Sequence, residues 1–166
     1  LKTIEAQNRR ATSAEQAKLA KYSGFGDSAF EQAFRGYRQE PSWKERGEEL
    51  KALTTEEEYR AMDVSRVNDF YTTPEVIQMM FKGLGQMGAN NLAHPRVLEP
   101  SAGSGRFLGF QPPELAARSS RVAVELDELT GRMLKQLYPQ TEVYIMGYQK
   151  APIPNDSIDI AVSNVP

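Results

Sequence analysis

Cysteine is absent from this chain of 166 residues, and histidine occurs only once, at His94. The lack of cysteine excludes disulfide bonds, thiolate nucleophiles and sulfur-ligated zinc. A single imidazole cannot form a histidine cluster around a metal ion. We therefore predict no metal site, and any chemistry must use other side chains.

The chain also lacks an excess of positive charge and any long apolar run. Its net charge of −2 gives no overall field that would hold a polyanion, although local contacts to nucleic acid stay open. No apolar run approaches the roughly 20 residues that span a bilayer, and no secretory signal is visible. We expect a soluble, cytoplasmic protein. Because the chain opens on Leu1 and stops at Pro166 after a strand-like run, we expect it to be part of a longer polypeptide.

The first part of the chain, residues 1–65, is rich in strong helix formers and has almost no β-branched runs. This composition predicts an N-terminal helical extension. Ser13 and Gln16 resemble a capping box for a helix that stops at Gly24-Phe25-Gly26. Further helices are predicted at 29–34, from Pro41 through Leu53, and from Thr55 onward.

The second part, residues 66–166, alternates short β-type runs with helical segments and glycine-bearing loops. This alternation predicts an α/β domain with a parallel sheet wound with helices. The predicted strands are 97–98, 122–126, 143–146 and 158–162, and helices are predicted at 113–118 and 127–138. A further helix is predicted to begin at Thr73-Pro74, with an apolar stripe of Val76, Ile77, Met80, Phe81 and Leu84.

A glycine-bearing loop follows the first predicted strand, with the sequence Glu99-Pro100-Ser101-Ala102-Gly103-Ser104-Gly105. Ligands of open α/β folds bind at the carboxyl edge of the sheet, where this loop is expected to lie. Glycine at positions 103 and 105 would let backbone N–H groups approach a ligand, because a Cβ atom there would occupy that space. The position after a strand indicates a nucleotide-type ligand.

Charge indicates which ligand this loop binds. A dinucleotide site directs backbone donors toward a pyrophosphate, which the Glu99 carboxylate would repel. A phosphate-binding P-loop is also excluded, since no Gly-Lys-Ser/Thr follows. S-adenosylmethionine presents an ammonium, a sulfonium and ribose hydroxyls, each of which tolerates a nearby acid, so this cofactor is favoured.

Glu125 lies 20 residues beyond Gly105, at the end of the second predicted strand. From that position a carboxylate can accept hydrogen bonds from both ribose hydroxyls. The alternative is an exposed acid that caps the next helix with Asp127 and Glu128. Leu126 would flank the adenine ring, and Asp127 is expected to be the helix cap.

The segment Ser163-Asn164-Val165-Pro166 follows the fourth predicted strand. The Asn164 amide and a backbone carbonyl held by proline can accept hydrogen bonds from a planar exocyclic NH₂ group. An amino-group methyltransferase needs this arrangement, because it must hold the nitrogen lone pair toward the methyl donor.

Four segments occur in an order that resembles the gamma class of adenine-N6 DNA methyltransferases. They are Asp69-Phe70-Tyr71-Thr72-Thr73-Pro74, the glycine loop, Val124-Glu125-Leu126-Asp127, and Ser163-Asn164-Val165-Pro166. More closely, the chain resembles the methylase portion of the large methyltransferase-helicase proteins of phages, plasmids and integrative elements. The helical segment from Ala11 to Gly26 is similar to their lead-in as well.

The resemblance implies a Rossmann-like S-adenosylmethionine-dependent methyltransferase fold that stops after its fourth strand, with DNA as the substrate. It implies that Asn164, Val165 and Pro166 receive the target amino group. It further implies that Glu125 binds the ribose and that the methionine end of the cofactor is held by Glu99, Gly103 and Gly105. The remaining residues of the implied cofactor pocket are Tyr71, Thr72, Pro74, Pro100, Ala102, Leu126 and Gln149.

Gln149 marks a departure from the family pattern. It follows the third strand, where many adenine methylases have an acid near the adenine ring, and it supplies a hydrogen bond without charge.

Two other functions stay open. A protein glutamine-N5 methyltransferase would use the same Asn-x-Pro acceptors on a planar amide, and a catalytically inactive module would only bind the cofactor or position a helicase.

Overall fold

A computed structural model describes residues 1–34, 40–66 and 72–165 of the chain. The chain divides into two compact units. The sheet unit comprises Leu1–Lys21 and Tyr71–Pro166, and the helical unit comprises Tyr22–Phe70. A domain boundary at residue 65 remains a prediction from the sequence.

The helices of the sheet unit are α1 (Lys2–Ala6), α2 (Ser13–Leu19), α6 (Pro74–Gln86), α7 (Arg106–Gly109), α8 (Pro113–Arg118) and α9 (Glu128–Leu137). Its strands are β1 (Arg96–Glu99), β2 (Ser120–Glu125), β3 (Glu142–Ile145) and β4 (Ile160–Ala161). The helical unit contains α3 (Glu31–Phe34), α4 (Pro41–Leu53) and α5 (Glu56–Ser65). Within the described ranges, no helix is both long and apolar enough to cross a membrane.

The four strands form one parallel sheet in the order β3-β2-β1-β4. This is the order of the first four strands of a Rossmann-type sheet, so the predicted α/β, Rossmann-like fold class is confirmed. The fourth strand is shorter than predicted, because only Ile160 and Ala161 pair with β1 as ladder residues. Single backbone hydrogen bonds at Asp159 and Val162 continue its alignment on either side.

Helices cover one face of the sheet, and a connecting segment covers the other. Val97 and Ile160 pack with the buried α6 residues Ile77 and Phe81. On the opposite face, Leu98, Val122 and Val124 are buried under the partly buried residues Ala151, Ile153 and Ile158. The apolar stripe predicted for α6 is therefore wider than the face that the sheet buries: Val76 and Met80 are exposed.

Local side-chain chemistry accounts for the helix ends. The Asp127 carboxylate accepts the N–H of Thr130 at 2.7 Å, which confirms the predicted cap of α9. The capping box of α2 is formed by Thr12 and Glu15, so the prediction of Ser13 and Gln16 was wrong by one residue. Thr12 begins the box because its hydroxyl oxygen accepts the N–H of Glu15, three residues later.

The helical unit is held by aromatic side chains that meet edge to face. Phe25 contacts Phe30 and Phe34, and Phe30 contacts Trp43. Tyr59 packs on Phe34, and its hydroxyl donates to the carbonyl of Ala33 at 3.0 Å. These contacts give the helical unit a small aromatic core of its own.

Candidate active site

The glycine loop after β1 is a tight left-handed turn. Gly103 and Gly105 have φ values of 54° and 76°, a region that residues with a Cβ atom rarely adopt. The N–H of Ala102 donates to the carbonyl of Val124 at 2.9 Å, and the N–H of Gly105 donates to the carbonyl of Ala102 at 2.8 Å. The first bond fixes the loop against the carboxyl end of β2, and the second closes the turn within the loop.

The space beside Gly105 is filled by protein, which corrects the expectation that a ligand would occupy it. A Cβ atom on Gly105 would lie 2.5 Å from Cδ1 of Leu134 and 2.5 Å from Cε2 of Tyr138. Gly105 is therefore needed for its left-handed backbone and for close packing of the loop on α9.

Glu125 ends β2 and accepts hydrogen bonds at both carboxylate oxygens. Oε2 accepts the N–H of Gly103 at 2.6 Å, and Oε1 accepts the N–H of Asp127 at 2.7 Å. Burial raises the pKa of Glu125, these two N–H groups oppose that shift, and the Asp127 charge adds to it. Each oxygen retains acceptor capacity, so the carboxylate can bind a further donor while it holds the loop.

Glu99 lies beneath the glycine loop, with only 2% of its surface exposed. Burial raises its pKa well above the ordinary value, and hydrogen bonding from the backbone N–H groups of Phe107 and Leu108 opposes this. The charge of Glu125 raises the pKa further. Among the described residues, Oε2 of Glu99 is buried and has no hydrogen-bond partner.

An apolar side chain and the backbone that follows β3 lie near Glu125 at the same edge. The side chain of Leu126, which was predicted to flank an adenine ring, is 77% exposed. The N–H of Met146 donates to the carbonyl of Glu125 at 2.9 Å, so the chain after β3 begins next to the end of β2. This chain leads into a short 3-10 turn, Tyr148–Lys150, in which Gln149 is exposed.

The segment after β4 joins the same edge. The N–H of Val162 donates to the carbonyl of Leu98 at 3.0 Å, and Oγ of Ser163 donates to the carbonyl of Ser101 at 3.3 Å. Asn164 and Val165 follow and are exposed. The structure thus brings Ser163 against the glycine loop, with Asn164 next in the chain.

The start of α6 lies near Arg106, the residue that follows the glycine loop. The pKa of Glu75 is lowered, first by its own backbone N–H and the Thr73 side chain, and then by the charge of Arg106. Thr72 is half-buried and Pro74 is the first residue of α6. Two residues of the predicted site, Tyr71 and Pro166, lie outside the described residues.

Two further residues of the predicted site lie in the glycine loop. Ala102 is buried and Pro100 is half-buried. In the part of the chain that the structure describes, no group of three or more His, Asp or Glu residues could hold a metal ion. His94 is exposed in the loop before β1.

A cleft of about 470 Å³ lies in the helical unit. It is lined by Lys51, Thr55, Glu56, Tyr59 and Arg60. Arg60 pairs with Glu56, and Lys51 lies over the ring of Tyr59, 5.1 Å from its centre. Because both of these cations already have partners within the unit, the cleft is a weaker candidate than the sheet edge.

No protein-family model and no curated protein matches the chain. Among solved structures, it is similar to a protein from Listeria monocytogenes that is provisionally described as a class I S-adenosylmethionine-dependent methyltransferase. The two are 14% identical with a TM-score of 0.45, and the match covers 82% of this chain and 49% of the other. The chain thus spans about half the length of that structure. The likeness is too distant to assign a ligand, and the fold class rests on the sheet topology itself.

Proposed function

We propose that this chain is an S-adenosylmethionine-dependent methyltransferase domain that methylates the exocyclic N6 amino group of adenine in DNA. The observation that supports it is the meeting of three features at one sheet edge. Gly103 of the glycine loop donates to Glu125, and the segment that leads to Asn164 donates to the carbonyl of Ser101. Ligands of open α/β folds bind at this edge, so a methyl donor held there would lie near an amino group held by Asn164.

The residues at this edge fit the cofactor. S-adenosylmethionine supplies, when bound, a methyl group on a positively charged sulfur. Glu99 offers a buried carboxylate oxygen that has no partner among the described residues, and a cationic group beside it would offset its burial. Glu125 keeps acceptor capacity for ribose hydroxyls, and Leu126 exposes an apolar side chain beside it for a ring.

The chain's own part in the reaction is to hold the amino group in place. The Asn164 side-chain oxygen and the Val165 carbonyl would accept hydrogen bonds from the NH₂ group, which directs its lone pair away from them. Orientation of this kind is the main contribution expected in a group transfer between two bound partners. The amino group of adenine is buried in a duplex, so the target base must be extruded first.

The choice of DNA rests on the sequence resemblance, chiefly on the segment from Asp69 to Pro74 ahead of the glycine loop. We further propose that the protein acts in the cytoplasm. The same resemblance is our ground for proposing that it continues into further methyltransferase and helicase regions. A chain with a net charge of −2 then receives most of its phosphate contacts from those regions.

The test measures cofactor binding and methyl transfer in Asn164→Ala. We expect its affinity for S-adenosylmethionine, measured by calorimetry, to stay unchanged, and its transfer of labelled methyl groups to adenine in DNA to fall by roughly 10²-fold, as when one preorganised contact is deleted. Asn155→Ala is a matched control, since Asn155 is an exposed asparagine in the turn before β4.

Each outcome decides between functions. No binding of S-adenosylmethionine to the unaltered protein would reject the methyltransferase proposal altogether. Labelling of a protein glutamine in place of DNA would identify the glutamine-N5 activity. Binding without transfer to either would identify an inactive module, and equal loss of binding and transfer in Asn164→Ala would make Asn164 structural.

A further inference from the structure

Tyr138, at the C-terminal end of α9, packs behind the glycine loop. Its partly buried ring packs against the apolar cluster that contains Ala102 of the loop and Leu108 of α7. A Cβ atom on Gly105 would lie 2.5 Å from Cε2 of this ring, and one on Gly109 would lie 2.5 Å from its hydroxyl oxygen. The ring therefore spans the backbone from the last glycine of the loop to the end of α7.

This contact stabilises the glycine loop, because glycine residues have no side chains that could pack against neighbouring structure. Gly105 is buried with a left-handed backbone, and its bare Cα leaves space that only a neighbouring group can fill. Removing the ring would open a cavity under the segment that directs the N–H of Gly103 toward Glu125. Neighbouring structure relaxes only partly into such a cavity, so the loop backbone would gain room to move.

The position of Tyr138 is in turn fixed by the N-terminal segment. The Gln16 side chain donates to the carbonyl of Gln136 at 2.8 Å, in the last turn of α9. The N–H of Ala11 donates back to Oε1 of Gln136 at 2.9 Å. Carbonyls at a helix end have no partner within the helix, so these bonds hold the turn that presents Tyr138.

We propose that Tyr138 is a positioning residue of the glycine loop: its ring holds the loop so that the N–H of Gly103 meets the Glu125 carboxylate. The part of this inference that concerns a ligand rests on the proposed function. The part that concerns the loop stands on the packing alone.

The experiment compares Tyr138→Phe, Tyr138→Ala and Tyr144→Ala by hydrogen exchange of the Gly103 and Gly105 amides. The Phe variant keeps the ring and should exchange like the unaltered protein. In the Ala variant, these two amides should exchange at least about tenfold faster than the rate expected from its overall loss of stability. Tyr144→Ala removes the same side chain from the opposite face of the sheet, where it packs with Val122 and Val124, and should leave the loop amides unchanged relative to the strands.

Binding of S-adenosylhomocysteine by calorimetry is the second measurement. We expect Tyr138→Ala to bind about tenfold more weakly and Tyr138→Phe to restore the affinity. If Tyr138→Ala does not fold, Tyr138→Leu replaces it. We then expect the same faster exchange and weaker binding, but with smaller changes. The proposal is overturned if exchange of the Gly103 and Gly105 amides in the Ala or Leu variant is accelerated, relative to the unaltered protein, by no larger a factor than exchange of the Val122 and Val124 amides. A protein that binds no cofactor, yet shows the expected exchange, would reject the proposed function and leave the positioning role intact.

Discussion

The two ends of the same parallel sheet use charged residues in different ways. At the amino end, Arg96 of β1 is bonded to β3 and to the segment that leads into β4. Its N–H donates to Asp159 at 2.7 Å, and its guanidinium donates to Glu142 at 2.7 Å and to Ser157 at 3.2 Å. Arg118 donates there to backbone carbonyls of the loop before β1, among them that of Asn90 at 3.0 Å. At this end of the sheet, each of the two arginines therefore has a carboxylate or a carbonyl oxygen as its partner.

At the carboxyl end, by contrast, the carboxylate of Glu99 is buried and that of Glu125 is half-buried, and both have backbone N–H groups as partners. Glu99 has one oxygen with no hydrogen-bond partner among the described residues, and Glu125 is held by two N–H groups near an exposed leucine. Burying a carboxyl group without a matching cation costs stability. The difference indicates that the amino end stabilises the sheet, whereas the carboxyl end retains capacity for a ligand.

The largest effect is expected from Gly105→Ala. Gly105 and Gly88, which precedes β1 at the amino end, both have left-handed backbones, with φ values of 76° and 108°. An added Cβ at Gly105 meets Leu134 and Tyr138, whereas one at Gly88 meets nothing within 4 Å. We expect Gly88→Ala to lower the free energy of unfolding by about 1–2 kcal/mol, which is the backbone cost alone. Gly105→Ala should lower it by about 1–3 kcal/mol more, because the added methyl group overpacks the contact with α9.

Urea unfolding of both variants measures this difference. Equal losses in the two variants would mean that the loop can move away from α9 at no cost. That result would also weaken the role proposed for Tyr138.

The next effect is expected at Glu125. In Glu125→Gln, the amide nitrogen would face the N–H of Gly103 or of Asp127, so one donor would lose its acceptor. The amide also offers one acceptor oxygen fewer to the ribose hydroxyls, so we expect affinity for S-adenosylmethionine to fall roughly 10²-fold, within the range for a buried polar group left unpaired. The same change at the amino end, Glu142→Gln, should leave affinity unchanged in calorimetry. A similar loss in both variants would contradict the distinction between the two ends.

Sequence patterns predicted the parts of this fold that depend on local chemistry. The helices Pro41–Leu53 and Pro113–Arg118 have the predicted bounds, because proline in the first turn and helix-forming composition are local signals. The cap at Asp127 is confirmed for the same reason.

The contacts that hold the loop could not be predicted in this way. Gln16 looked like half of a capping box, but its side chain instead reaches the carbonyl of Gln136, 120 residues away. Tyr138 has one local signal, its spacing of four from Leu134, which indicates a shared helix face but does not name the glycine that the face covers. The roles of the site residues remain predictions, and for Tyr71 and Pro166 the position as well.

A smaller effect, with a definite dependence on pH, is expected from Glu99→Gln. Because burial raises the pKa of Glu99 in the folded state, its contribution to stability is present below about pH 4.5 and is lost as the pH rises through the folded value. The glutamine variant has no such loss. Its free energy of unfolding should therefore rise relative to the unaltered protein, by up to about 1.4 kcal/mol for each pH unit crossed.

Denaturant unfolding between pH 4 and pH 8 measures this change. A constant difference between the two proteins over that range would mean that Glu99 keeps its ordinary pKa in the fold. The carboxyl end would then carry no cost of burial.

The smallest effect is expected at the amino end, and its dependence on pH has the opposite sign. The pKa of Glu142 is lowered, first by the hydrogen bond from the Tyr144 hydroxyl and then by Arg96. Its contribution to stability is therefore present above the ordinary carboxyl value and is lost as the pH falls through the lowered one. Arg96→Ala should lower the free energy of unfolding at pH 7 by about 1 kcal/mol or less, as for exposed ion pairs, and the difference should shrink in acid and in high salt. Cofactor affinity should not change, so a weaker affinity in Arg96→Ala would show that the amino end also supports the ligand site.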